Sequence, residues 1–195
     1  MRVTTHFLLW TLGLARPETQ TSDAERACLV SYARGKKRLV EIGVWHGVTT
    51  KLLRQAMAAD GVLFAVDPYP KGRFGFSPQR VIARRQLKTV SNGILSWLRK
   101  TGAEAGHEFA KQESELVDFL FIDGDHSFAG LREDWEAWSG LVSAGGVVAL
   151  HDSCSSAARN IDDAGSVQYT DSVIRKDSRF HFVEAVDTLS IFQRV

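Results

Sequence analysis

Two apolar runs in the second half of the sequence, Phe119–Ile122 and Val147–Leu150, are each followed at once by ionisable side chains. These side chains are Asp123, Asp125 and His126 after the first run, and His151 and Asp152 after the second. Carboxylates and imidazoles that meet at strand ends can ligate a divalent metal or move a proton. Asp123, His151 and Asp152 are therefore candidate metal ligands, and His126 is a candidate general base.

Each of these residues also has an ordinary structural interpretation. Asp125 or Ser127 could cap the helix that begins near Phe128, and His151 could be a hydrogen-bonded core residue. Asp123 and His126 could act through hydrogen bonds without a metal. The donor set leaves the metal open, because Mg²⁺ prefers oxygen ligands whereas an imidazole favours manganese, iron or zinc.

A second candidate site lies at the turn after the strand Leu39–Gly43. Glu41 lies inside this strand, Gly43 permits a tight turn, and Gly47 lets the following helix pack closely. The pattern E-x-G-x-x-x-G differs from the G-x-G-x-x-G of a pyrophosphate loop, because Trp45 replaces the middle glycine.

Asp67 ends the next apolar run, twenty residues after Gly47. An acid at this distance is placed to accept hydrogen bonds from ribose hydroxyls, although it could merely cap the following turn. Together, the turn and Asp67 predict a nucleoside-bearing cofactor.

Seven short runs rich in Val, Ile, Leu and Phe predict the strands that must position these residues. The first five are continuous apolar runs, which is typical of parallel strands buried on both faces. The last two are separated by only two residues, which requires an antiparallel hairpin. The runs are Leu39–Val44, Val62–Val66, Ile94–Leu98, Val117–Ile122, Val147–Leu150, Phe180–Val186 and Leu189–Arg194.

Helical patterns fill the gaps between the runs. Asp23–Ala33 has a capping box formed by Ser22 and Glu25, and one apolar face extends from Val48 to Met57. Another extends from Phe128 to Val142, where Gly145-Gly146 breaks the helix. The alternation predicts a doubly wound, Rossmann-like α/β fold with a mostly parallel sheet, in which ligands bind beyond the carboxyl ends of the strands.

Composition predicts one ordinary globular domain. The chain has 195 residues, 44% of them apolar, and a formal charge of +1, so nothing global indicates nucleic acid or an anionic membrane as a partner. No apolar stretch reaches membrane length. Cys28 and Cys154 are far apart and in no metal or redox spacing, which predicts reduced thiols in a cytoplasmic protein.

Two segments could enclose the site. Residues 1–21 form an N-terminal segment whose His6, Phe7 and Trp10 could cover the opening or contact a second subunit, while residues 22–195 form the domain. Tyr69–Arg85, rich in glycine and aromatic residues, could be a lid or pocket wall, or a surface loop leading into the helix Pro78–Val90.

Taken together, these motifs resemble the class I S-adenosylmethionine-dependent methyltransferases over roughly Ser22–Val195. The chain looks closest to a small bacterial branch whose fourth strand ends in I-D-G-D-H and whose fifth ends in H-D. That branch is similar in layout to metal-dependent catechol-type and macrolide-sugar O-methyltransferases. The resemblance implies a seven-stranded sheet and S-adenosylmethionine as cofactor.

The resemblance also implies roles for individual residues. It gives Asp123, His151 and Asp152 as ligands of Mg²⁺, Mn²⁺ or another divalent metal, and His126 with Asp123 as the catalytic pair. His151 departs from the family, since many metal-dependent relatives carry Asp there. The implied cofactor-binding residues are Glu41, Gly43, Val44, Gly47, Asp67, Thr101 and Asp123.

The leading functional hypothesis is therefore methyl transfer to a small-molecule hydroxyl by a cytoplasmic homo-oligomer, most simply a dimer. A non-catalytic module that binds S-adenosylmethionine or another nucleoside is the alternative. The absence of G-x-G-x-x-G disfavours an NAD-dependent oxidoreductase. The absence of an N-P-P-Y-type segment and of a basic tail disfavours nucleic-acid methylation.

Overall fold

A computed structural model describes residues 3–72, 75–113 and 115–195. Strands and helices alternate through most of this length. The strands are β1 Arg38–Ile42, β2 Val62–Val66, β3 Ile94–Leu98, β4 Val117–Ile122, β5 Val142–Leu150, β6 Phe180–Val186 and β7 Leu189–Arg194. The helices are α1 Val3–Thr11, α2 Asp23–Ala33, α3 Val48–Ala56, α4 Pro78–Leu87, α5 Gly102–Gln112, α6 Phe128–Trp138 and α7 Gly165–Ser172.

The strands form one sheet in the order β3-β2-β1-β4-β5-β7-β6. The first five strands in that order pair in parallel, while β7 runs antiparallel to both β5 and β6. The chain reverses its direction of winding between β1 and β4, which is where ligands bind in sheets of this kind. The predicted doubly wound fold with a C-terminal hairpin is confirmed.

Alternating side chains of the central strands pack on helices of opposite faces. Val40 and Ile42 face the cluster that includes Phe109 of α5 and Trp135 of α6. Leu39 faces the other layer, where α2 and α3 contribute apolar side chains such as Leu29 and Leu53. Both faces of the central strands are therefore buried, which accounts for their continuous apolar runs.

Local sequence explains where several helices begin. In α2, the side chain of Ser22 accepts a hydrogen bond from the Glu25 amide, and the Glu25 carboxylate accepts one from the Ser22 amide, so the predicted capping box is confirmed. Thr101 and Glu104 form a second capping box at α5, and Ser127 caps α6. None of the described helices is long and apolar enough to cross a membrane.

Several predicted boundaries were wrong. The helix α6 ends at Trp138, and Gly145-Gly146 lies inside β5, which starts at Val142. The first strand ends at Ile42. The strand β3 is not buried on both faces, because it is the edge of the sheet and Ile94 is 65% exposed.

Candidate active site

A cavity of about 560 Å³ opens at the carboxyl ends of β1, β2 and β4. Its walls come from the turn after β1, the end of β2, the start of α5 and the segment that joins β4 to α6. The cavity has room for a ligand because several lining residues are small, and many of the remaining lining side chains are acidic. The lining residues include Gln20, Gly43, Trp45, Asp67, Thr101, Gly102, Asp123, Asp125, His126, Glu133 and Asp134.

The turn after β1 depends on Gly43. Its φ is +92°, and a Cβ at this position would lie 1.9 Å from the backbone oxygen of Asp123. Only glycine therefore lets the β1 turn lie directly against the end of β4. This close approach brings the predicted cofactor turn and the predicted catalytic segment to the same cavity.

Asp67 braces the same turn from β2. Its Oδ2 accepts hydrogen bonds from the amides of Val44 and Trp45 at 3.2 and 2.9 Å, and its Oδ1 accepts one from Tyr69 at 2.8 Å. Burial raises the pKa of Asp67, and these three amides oppose the rise. Because each carboxylate oxygen has two acceptor positions, Oδ1 keeps one for a ligand hydroxyl.

Glu41 lies beneath the cavity and does not line it. The side chain is fully buried, and neither carboxyl oxygen has a hydrogen-bond partner among the described residues. Burial raises its pKa well above the usual value, and repulsion from Asp123 and Asp67 adds to the effect. Burial therefore favours the protonated form of Glu41, whereas the sequence suggested a carboxylate near the turn.

At the other side of the cavity, Asp123 lies between two histidines. Its Oδ1 is 2.8 Å from Nδ1 of His151 and 3.5 Å from Nε2 of His126. His126 faces the cavity with a third of its side chain exposed, whereas the side chain of His151 is fully buried. The sequence-predicted acid and base are thus adjacent.

Glu25 of α2 approaches His151 from the far side, with Oε2 3.5 Å from Nε2. Burial alone would lower the pKa of His151, but Asp123 and Glu25 outweigh it and raise that pKa to about 10. Burial likewise opposes ionisation of Glu25, yet His151, Ser22 and Thr188 lower its pKa to about 2. His151 is therefore a buried cation held between two carboxylates.

Asp152 forms an ion pair with Arg159. Arg159 binds its two oxygens at 2.6 and 3.0 Å, and the hydroxyl of Thr188 lies 2.9 Å from Oδ1. Potential ligand atoms of Asp123, His126 and His151 converge within 4.8 Å, but Asp152 is not part of that group. The predicted set Asp123, His151 and Asp152 therefore does not converge on one centre as arranged, because Asp152 pairs with Arg159 and lies outside the group.

The opposite end of the cavity is formed by α5 and α6. Thr101 caps α5, and Gly102 has no room for a side chain, because a Cβ would lie 2.2 Å from Oδ1 of Asp134. Burial, with repulsion from Asp125 and Glu133, raises the pKa of Asp134 to about 7. Sequence reasoning missed Asp134, although it falls on the apolar stripe of α6 between Leu131 and Trp135.

The N-terminal segment reaches the cavity rim. Gln20 lines the cavity directly, and Trp45 stacks on His46, which stacks on His6 of α1. Burial lowers the pKa of His46 to about 4, and the nearby His6 contributes.

The segment after β2 meets α1 through an edge contact between Phe76 and Phe7. Tyr69 donates a hydrogen bond to the Trp45 carbonyl oxygen. Arg73 and Phe74 of the predicted lid lie outside the described residues, and the lid itself stays a prediction.

Of the predicted site residues, Gly43, Asp67, Thr101, Asp123 and His126 line one cavity. Val44 and Gly47 support the turn: Val44 bonds to Asp67, and Gly47, with φ +73°, precedes α3. His151 and Asp152 lie behind the wall. Cys28 and Cys154 are both free thiols.

Solved structures with the same fold include several methyltransferases. The O-methyltransferase TomG of Streptomyces achromogenes, solved with S-adenosylmethionine, aligns over 100% of this chain and 90% of its own, with TM-score 0.69 and 15% identity. An O-methyltransferase of Bacillus cereus in complex with S-adenosylhomocysteine aligns over 98% and 90%, with TM-score 0.68 and 15% identity. An rRNA methylase of Streptococcus thermophilus aligns over 93% and 98%, with TM-score 0.60 and 14% identity. At these identities the likeness concerns the fold, and the neighbours differ in their acceptors.

Sequence comparison gives the family. An uncharacterized protein of Sinorhizobium fredii, y4gI, is 32% identical over 129 residues, which are 62% of this chain and only 14% of that protein's length. Residues 40–153, more than half of the chain, match the family described as methyltransferase domain. The chain therefore belongs to the methyltransferase domain family, and its fold is that of the class I S-adenosylmethionine-dependent methyltransferases.

Proposed function

We propose that this domain transfers a methyl group from S-adenosylmethionine to a hydroxyl group of a small molecule. One observation carries the proposal: the acid–histidine pair Asp123 and His126 lines the same cavity as Gly43, Asp67 and Thr101. A volume of about 560 Å³ lies within the range of pockets that enclose a nucleoside-sized ligand.

The cavity suits this cofactor in charge as well as in size. S-adenosylmethionine supplies an electrophilic methyl group on a positively charged sulfur. Acidic side chains around the cavity favour a cation, and the free acceptor position of Asp67 Oδ1 suits a ribose hydroxyl. The structures of TomG and of the Bacillus cereus enzyme contain this cofactor or its product, which supports the same assignment here.

His126 is placed to receive the acceptor's proton. Asp123 lies 3.5 Å from Nε2 of His126 and can orient the ring and stabilise its protonated form. The acceptor oxygen gains the methyl group as the carbon–sulfur bond breaks, S-adenosylhomocysteine remains, and the hydroxyl proton passes to His126. The protein's main contribution is to align oxygen, carbon and sulfur.

We assign no step to a metal. Asp123 and His151 are near enough to share one, but His151 would first have to release the proton held by Asp123 and Glu25, and Asp152 would have to leave Arg159. Metal assistance, a cytoplasmic location and a dimer that pairs through residues 1–21 all remain predictions. The dimer is consistent with the exposed side chains of Leu8, Leu12 and Leu14.

The test is calorimetric binding of S-adenosylmethionine, followed by transfer of its labelled methyl group to a panel of small hydroxyl compounds. Asp67→Asn should weaken binding at least about tenfold, because it removes a charged acceptor. Asp60→Asn, at an exposed acid that precedes β2, is the control and should bind normally.

Absence of binding by the wild-type protein, or equal loss in both variants, would contradict the proposal. Binding without turnover for any acceptor would favour the non-catalytic module instead.

A further inference from the structure

Outside the cofactor cavity, the described residues contain another group of metal-ligand side chains, His6, Glu18 and His46. They come from three parts of the chain: α1, the connection between α1 and α2, and the turn between β1 and α3. His6 and His46 are each 3% exposed, whereas 42% of the Glu18 side chain is exposed. The proposed methyl-transfer chemistry uses none of these three side chains.

The donor atoms converge. One ring nitrogen of each histidine and one carboxylate oxygen of Glu18 lie within 4.8 Å of one another. Nε2 of His6 is 3.7 Å from Oε1 of Glu18, and the two imidazole rings stack with centroids 4.9 Å apart. Two buried imidazoles and a carboxylate oxygen thus lie close enough together to share one metal ion.

We propose that His6, Glu18 and His46 form a binding site for a divalent transition metal of the zinc class. Two imidazoles and one carboxylate are a typical three-ligand set for zinc, and they leave one coordination position for water. That position faces solvent, because Glu18 is the exposed member of the group. The set is too rich in nitrogen to suit Mg²⁺ or Ca²⁺.

Coordination requires rearrangement of the three side chains but no new neighbours. Ligand atoms about 2.0–2.1 Å from a tetrahedral zinc lie about 3.3 Å apart, compared with the present limit of 4.8 Å. The rings must tilt out of their parallel stack so that both lone pairs point to one centre. Each ring is already held through one nitrogen, His6 Nε2 by the Arg16 oxygen and His46 Nδ1 by the Glu18 amide, both at 3.0 Å.

The proposed metal site adjoins the rim of the cofactor cavity. His46 adjoins Trp45, which lines the cavity, and Glu18 lies two residues before Gln20, which also lines it. A metal would join the N-terminal segment to the turn after β1. It would thereby fix that segment against the cavity rim, independently of Asp123 and His151.

Metal titration of the tag-free, metal-stripped full chain tests the proposal. Co²⁺ reports coordination through its visible absorption, and competition with Zn²⁺ gives the zinc affinity. Glu18→Gln and His6→Gln should each weaken zinc binding at least about 100-fold. Asp123→Asn, which disrupts the other group of potential ligands, should bind one equivalent with unchanged affinity.

Limited chymotrypsin digestion supplies a second measurement. Zinc should slow cleavage within α1 in the wild-type protein and in Asp123→Asn, but not in Glu18→Gln. Circular dichroism checks that each variant is folded. Because the Glu18 side chain is half-exposed and that of His6 is buried, Glu18→Gln should disturb folding less than His6→Gln.

Zinc affinity that is equal in the wild type and Glu18→Gln would overturn the proposal. Loss of zinc binding in Asp123→Asn would do so too, as would the absence of a tetrahedral cobalt spectrum.

Discussion

His46 and His151 are buried almost equally, with 3% and 2% of their surfaces exposed, yet their pKa values are shifted in opposite directions. His151 has carboxylates on both sides, and its pKa is raised to about 10 although burial opposes this. His46 lies between the rings of Trp45 and His6, and burial lowers its pKa to about 4. Burial favours the neutral form of both imidazoles, and only the carboxylates beside His151 reverse that preference.

The difference separates two kinds of polar cluster in one small domain. The acid-rich cluster around Asp123 keeps fixed charges in and behind the wall of the cavity. Such charges lie close to the place where charge would change during the proposed methyl transfer. In the ring-rich cluster around His46 the pKa of that imidazole is lowered, which favours the neutral form that a metal requires. Each of the following experiments tests one side of this comparison.

The largest expected effect concerns His126, the exposed histidine of the acid-rich cluster. We expect His126→Asn to lower the rate of methyl transfer by about 10²–10⁴-fold, because it removes the proton acceptor. Its affinity for S-adenosylmethionine should stay near wild type. His107→Asn, on the exposed surface of α5, is the matched control and should keep full activity. Single-turnover transfer of labelled methyl measures the rate, and wild-type activity in His126→Asn would remove this residue from the mechanism.

The next effect concerns stability. Glu25→Gln leaves the buried His151 cation with one carboxylate fewer, and we expect a loss of about 3 kcal/mol in the free energy of unfolding. Glu104→Gln changes the same capping-box position in α5, where the glutamate is exposed, and should cost less than about 1 kcal/mol. Urea denaturation compares the two. Equal losses would mean that capping, not the ion pair, explains the role of Glu25.

A smaller effect should appear in the dependence of stability on pH, measured with a chelator present. His151 has a folded pKa of about 10 and an ordinary pKa of 6.5, so its contribution is complete below 6.5 and is lost as pH rises to 10. His46 has a folded pKa of about 4 and an ordinary pKa of 6.5. As the pH falls from 6.5 to 4, this histidine is protonated in the unfolded chain but not in the folded one, and stability is lost. Each slope is at most about 1.4 kcal/mol per pH unit.

The matched variant for this measurement is His46→Asn. In this variant the free energy of unfolding should no longer fall between about pH 7 and pH 5, because the titrating imidazole is gone. It should still fall between about pH 7 and pH 9, where His151 titrates. Urea denaturation at about pH 5, 7 and 9 measures both changes. An unchanged acid-side slope would show that His46 titrates normally in the folded protein.

The smallest expected effect concerns metal at the acid-rich cluster. A catalytic metal supplies several kcal/mol, so its removal would lower the rate by orders of magnitude. We expect no such loss when the enzyme is treated with EDTA, because His151 holds a proton and Asp152 is paired with Arg159. A rate that collapses on chelation, returns with Mg²⁺ or Mn²⁺ and is absent in Asp152→Asn would restore the predicted metal set.

The sequence predicted the fold where local pattern and burial agree. Continuous apolar runs located the first five strands, although the run for β5 missed its first five residues, and Ser22 with Glu25 located the start of α2. No helical pattern was assigned at α5, whose Gly102 and Gly106 have low helix propensity. Packing requires both glycines there: a Cβ on Gly106 would lie 2.8 Å from Ala137, and Gly102 abuts Asp134.

The candidate site was predicted in its parts but not in its connections. The strand-end positions of Asp67, Asp123 and His126 followed from the pattern of runs and turns. The contacts of Glu25 with His151 and of Arg159 with Asp152 carry no local signal, since they depend on how α2 and the loop after β5 return to the sheet. Glu25 contributes with Asp123 to the raised pKa of His151, so this shift could not be derived in full from the sequence.

Glu25 accepts hydrogen bonds from the amide and hydroxyl of Thr188, a residue 163 positions further along the chain. At about 5–20 residues per second, roughly 10–30 s of synthesis separate these two residues on a ribosome. During that interval α2 can form, but its acid has no partner from the hairpin turn. The charge arrangement behind the cavity is therefore acquired only after Thr188 has emerged, and the emerging chain lacks the finished site until then.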